Sequence, residues 1–178
     1  MAQIRTPRAV VIAAGSPAHG DDGVGGAVLS VLGDLPSLDG AAVLARCDGD
    51  PAALIELWDG FEHAVVVAAA RGGIERVGYV YRSELLRGDG AMGFVPSGRG
   101  CGFGQAVRLA DVLGRLPRRL SLYAVHGHDF AAGDRISRAV ATLVPTLAGR
   151  IRQEVLTAGR ATAAAETAHV GASHRSRR

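Results

Sequence analysis

Arg8-Ala-Val-Val-Ile-Ala-Ala14, running into Gly15-Ser-Pro-Ala-His-Gly-Asp-Asp-Gly-Val-Gly25, is the stretch that decides the fold. Its opening run is apolar without alternation, the pattern of a strand buried on both faces. Gly15 and Pro17 end that run. Val24, Val28, Leu29, Val31 and Leu32 then recur at helical spacing, with Asp21 or Asp22 placed to cap the helix and Gly33 and Pro36 to stop it. A buried strand that passes through a glycine-rich loop into a helix is the opening unit of an α/β fold.

The rest of the chain repeats the alternation. Ala42–Ala45, His63–Ala68, Val77–Tyr81 and Arg119–Val125 read as further strands, and His63–Ala68 is the clearest. Between them, Asp50-Pro51 starts a helix with proline at its first position, and Leu54, Ile55, Leu57 and Trp58 form its buried side. A third helix spans Phe103–Leu113. Ile136, Val140, Leu143, Val144, Leu147, Ile151 and Val155 mark a long amphipathic helix kinked at Pro145. Residues 86–104 read as a long glycine-rich loop. Beyond Gly159 no apolar stripe remains. The expectation is one α/β domain over residues 1–160, a three-layer fold with a mainly parallel five-stranded sheet flanked by helices, and a disordered tail over 161–178.

Composition removes several function classes. At 178 residues, with 48% hydrophobic and 21% charged residues, the chain suits one soluble globular domain. The longest apolar stretch, Ala64–Ala70, is too short to span a membrane, and no signal peptide opens the chain. A cytoplasmic monomer is expected. Cys47 and Cys101 form no CxxC pair, so neither a disulfide framework nor a thiolate zinc knuckle is indicated. All 20 basic residues are arginine, and the net charge of +3 is partly carried by the tail, so no nucleic-acid face is indicated.

Ligand sites in parallel sheets lie beyond the carboxyl ends of the strands. That nominates the Gly15–Gly25 loop, the residues after Val67 and the His126–Asp134 loop. Gly20-Asp-Asp-Gly-Val-Gly-Gly26 lacks the GxGxxG spacing, and GxxxxGK[ST] is impossible without lysine. Two aspartates at a helix start also repel phosphate. They suit a cation better, one capping the helix and the other entering the cleft. His126 and His128, in Val125-His-Gly-His-Asp129, sit where imidazoles could join Asp22 on a borderline metal. His19 and His63 read as surface or capping residues, and Trp58 and Phe61 as packing residues.

Val11-Ile-Ala-Ala-Gly-Ser-Pro-Ala-His-Gly-Asp-Asp-Gly-Val-Gly25 resembles the signature of the hydrogenase maturation proteases. Later segments match in order: Asp48-Gly49, Val65–Val67, Leu109-Ala-Asp-Val-Leu-Gly-Arg-Leu-Pro117 and Gly133-Asp-Arg-Ile-Ser137. The resemblance covers about residues 8–157. It implies a small endopeptidase that trims the C-terminal extension of a [NiFe]-hydrogenase large-subunit precursor, with no intrinsic cofactor and with the nickel belonging to the substrate. It also implies three nickel ligands. Asp22 matches the first; Ala68 stands where the family has an aspartate, and Arg99 where it has a histidine. Alanine has no lone pair to give, and arginine stays protonated. Arg99 could instead pair with Asp22 in place of the cation. Two readings follow from the resemblance: a processing endopeptidase with altered metal geometry, or a non-cleaving protein that docks on the precursor or on an assembly factor.

Overall fold

The computed structural model describes residues 8–38, 40–71, 76–86, 102–133 and 135–175. Strands β1 (Ala9–Ala14), β2 (Ala42–Cys47), β3 (His63–Arg71), β4 (Val80–Leu86) and β5 (Arg119–Gly127) form one sheet in the order β2-β1-β3-β5-β4. All pairings are parallel except β4 with β5, which is antiparallel. Helices α1 (Val24–Gly33), α2 (Pro51–Trp58), α3 (Phe103–Val112), α4 (Arg138–Ala141) and α5 (Val144–Arg175) complete the chain. The three-layer α/β architecture read from the sequence is the one observed.

Side chains alternate across the central strands because the strand period is two. Val11, Val65, Val67, Tyr123 and Val125 meet Val28, Leu32, Leu147 and Ile151 of α1 and α5 on one face. Val10, Ile12, Val66, Leu120 and Leu122 meet Leu54, Trp58, Phe103 and Val107 of α2 and α3 on the other. Each such side chain, fully buried, contributes roughly 1.5–3 kcal/mol relative to exposure. Trp58 and Phe103 pack edge to face, with ring centroids 6.3 Å apart. The helix start at Pro51 is also as read: the Asp50 carboxylate accepts from Ala52 N and Ala53 N, both at 2.9 Å.

Four expectations are corrected. The fourth strand is Val80–Leu86 rather than Val77–Tyr81. Gly78 takes φ +86° and turns the chain just before it, and the charged Arg82 and Glu84 hide the strand from an apolar-run reading. Pro145 does not kink one long helix. The chain makes a short α4, capped by Ser137, and restarts at Val144 with proline in the first turn, where its missing N–H costs nothing. The last helix continues past residue 161 to Arg175, since alanine-rich sequence has high helix propensity without an apolar stripe.

His63 is the fourth. It is buried, 5% exposed, rather than a surface or capping residue. Its Nε2 lies 3.2 Å from Oε1 of Glu154 on α5, which also accepts from Ser121 Oγ and from Tyr123 Oη at 2.7 Å. Arg82 completes the cluster from β4 at 3.0 Å. Burial alone would raise the Glu154 carboxyl; hydrogen bonds from His63, Ser121 and Tyr123, with the Arg82 charge, overcome it and hold the group far below the usual carboxylate range. Burial and the Glu154 charge push the Tyr123 phenol up to about 12. This cluster fastens α5 to three strands at once.

Candidate functional site

The loops after β1, β3 and β5 meet at the carboxyl edge of the sheet. Gly15 has φ +137°, and a Cβ there would lie 2.6 Å from the Asp22 carbonyl oxygen and 2.8 Å from its Oδ1. The loop therefore folds back on itself only because residue 15 has no side chain. The Ser16 amide donates to Asp22 Oδ2 at 2.7 Å, which fixes that carboxylate at the strand's end. Ser16 Oγ lies 3.1 Å from His19 Nδ1.

Asp21 has a different task. It is fully buried, and its Oδ2 accepts from the amides of His128 at 2.8 Å and Asp129 at 3.0 Å, while Oδ1 accepts from Ser137 N at 2.6 Å. Burial would raise its carboxyl, but the three amides prevail and hold it below the usual range. Backbone bonds reinforce the joint: Asp21 N to Asp129 O at 2.7 Å, Gly20 N to Gly133 O at 2.9 Å and Gly133 N to Ala18 O at 2.9 Å. A Cβ on Gly127 would approach Asp21 Cβ to 2.6 Å, so glycine is required there for close approach. Neither aspartate caps α1: its N-cap is Gly23, with no side-chain bond, because both carboxylates are engaged elsewhere. The sequence marked the aspartate pair without separating the two roles. Only the fold brings three amides from the β5 loop to one of them.

Ala68 is 2% exposed and lies in register between Ala14 of β1 and Ala124 of β5. It belongs to the apolar cluster shared with Leu54 and Phe103. His126 is opposite Ala70, half-buried, at the same sheet edge. His128 is exposed, and its amide is committed to Asp21. Among the described residues no three His, Cys, Asp or Glu side chains gather as a metal-binding group, Asp22, His126 and His128 included. Asp22 faces back onto Gly15 and Ser16, and β5 ends at Gly127. Arg99 and Cys101, with the proposed Arg99–Asp22 pair, lie outside the described residues. No described helix is long and apolar enough to cross a membrane.

No family model matches the chain, and no curated protein matches it by sequence. Its fold nevertheless has close counterparts among solved structures: it is the α/β fold of the hydrogenase maturation proteases. The [NiFe] hydrogenase maturation protease HybD from Thermococcus kodakarensis superposes with a TM-score of 0.65 at 19% identity, over 83% of this chain and 99% of that one. The hydrogenase maturating endopeptidase HybD from E. coli gives 0.59 at 17% identity, over 87% and 93%. A hydrogenase 2 maturation peptidase from the Thaumarchaeota archaeon SCGC_AB-539-E09 gives 0.60 at 18% identity, over 83% and 97%.

Proposed function

We propose that this protein acts in the C-terminal processing of a [NiFe]-hydrogenase large-subunit precursor. The observation that carries this reading is Asp22, the residue matching the family's first nickel ligand, held on Gly15 and Ser16 at the sheet's carboxyl edge in a chain with the maturation protease fold. Asp21 supports the same edge by tying the β1 and β5 loops into one surface against which a client terminus could lie.

One observation favours the non-cleaving reading. Ala68, at the family's second ligand position, is packed among apolar side chains and offers no donor. A borderline metal takes three or more N, O or S donors, and the described residues do not supply that set. In that case the chain docks on the precursor, or on an assembly factor, without cutting.

Incubation with a nickel-loaded large-subunit precursor, followed by mass spectrometry and size-exclusion chromatography, separates the two. A shortened precursor establishes the endopeptidase. An intact precursor that co-elutes with the protein establishes docking. Neither shortening nor co-elution rejects the processing role.

A further inference from the structure

A cavity of about 480 Å³ opens at the β4–β5 end of the same sheet edge, lined by Arg76, Tyr79, Val80, Tyr81 and His126. That volume lies within the range of roughly 300–1,000 Å³ typical of small-ligand sites. The backbone fixes its wall: Gly78 N donates to His126 O, and His126 N to Tyr79 O, both at 2.8 Å. Tyr79 is 67% exposed, a large aromatic surface presented outward. Among the described residues the lining holds a guanidinium and an imidazole and no carboxylate.

His126 has a further property. Its Nδ1 is buried with no hydrogen-bond partner among the described residues. An orphaned buried N–H costs more than an orphaned lone pair, so a proton on Nε2 is the tautomer that leaves no N–H orphaned inside, and it can donate from that side. Arg76 brings a planar fork of N–H donors that matches a carboxylate. Two donors of one polarity beside aromatic walls are chemically complementary to a carboxylate on an apolar peptide end.

We infer that the cavity formed by Arg76, Tyr79, Tyr81 and His126 is a recognition subsite for the C-terminal α-carboxylate of a client polypeptide. The inference rests on the processing reading, which places a client's carboxyl terminus at this sheet edge. His126 lies in register with Ala70, two residues beyond Ala68, so the cavity and Asp22 share that edge.

The test uses three tripeptides and the full chain: N-acetyl-Val-Leu-Phe with a free carboxylate, its C-terminal amide, and N-acetyl-Val-Leu-Glu amide, which carries its charge on a side chain. Titration calorimetry, with NMR shifts of the His126 ring, should show the free acid binding at least tenfold more tightly than either amide. Arg76→Gln should abolish that preference, and Tyr79→Ser, at an exposed position, should weaken all three peptides alike. Equal binding of acid and amide, or a glutamate amide as tight as the free acid, overturns the assignment. So does a preference that survives Arg76→Gln. The two hypotheses fail separately: a precursor that is shortened or co-elutes, with no acid preference, sinks only the subsite. An acid preference with neither shortening nor co-elution sinks only the processing role.

Discussion

Asp21 and Glu154 are both buried carboxylates held below their usual titration range, yet they are built from opposite materials. Asp21 is satisfied by three backbone amides from one stretch of chain, His128 to Ser137. Glu154 is satisfied by side chains from β3, β4 and β5: His63, Arg82, Ser121 and Tyr123. The first joins two loops at the edge where ligands bind in parallel sheets; the second fastens a helix to the strands well away from that edge. Amide donors keep their places when side chains change, so the Asp21 joint tolerates variation at the donor residues, though not at Gly20 or Gly127, where a Cβ would collide. The Glu154 cluster depends on each member's identity, because a lost partner leaves others buried and unpaired.

The largest effect should come from removing the Glu154 charge. Glu154→Ala leaves His63 without its carboxylate and Arg82 with Glu84 alone, and a loss of about 3–5 kcal/mol in urea unfolding is expected from breaking a buried ionic cluster. A loss below about 1 kcal/mol would mean that water or rearrangement replaces the carboxylate, and the contrast with Asp21 would collapse. Asp21→Asn should cost less, about 1–3 kcal/mol, since one oxygen can still accept while an NH₂ group faces an amide donor. Its hydrogen-exchange signature should be local, with faster exchange at His128, Asp129 and Ser137 and none at β3. Exchange that rises throughout the sheet would show that Asp21 is not confined to the edge.

The pH dependence sharpens the same comparison. Both folded pKa values are depressed, so the stability they contribute is fully present above the unfolded carboxylate range near pH 4–4.5 and drains away as pH falls through the folded values. The unfolding midpoint should fall steeply between about pH 5 and pH 2, and Glu154→Gln should flatten that slope more than Asp21→Asn does. The smallest effect is expected at Arg115–Asp59, an ion pair 2.7 Å long but exposed on both sides. Arg115→Gln should leave the midpoint within error. A clear shift there would mean that surface pairs matter here as much as buried ones.

Much of the fold was legible because it rests on local rules. Ala64–Val67 announces a buried strand by composition, and Asp50-Pro51 announces a helix start by capping chemistry. β4 was misplaced because Arg82 and Glu84 break its apolar pattern, and they are accommodated by pairing with each other and with partners on β5 and α5. The candidate site was legible in part. The loop sequence marked Asp22 and the sheet edge; among the described residues Asp22, His126 and His128 form no metal-binding group of three, and two-residue spacing says nothing of where a strand ends.

By itself the sequence determined the alternation of buried strands and amphipathic helices, and so the layer order, because burial periodicity is a property of neighbours along the chain. It also determined that Ala68 can give nothing to a metal. Only the tertiary structure decided that Asp21 and Asp22 divide their labour, that His63 is buried on Glu154, and that His126 lines a cavity with Arg76. Those outcomes depend on groups as many as 116 positions apart along the chain, whose proximity is created by packing and encoded by no local pattern.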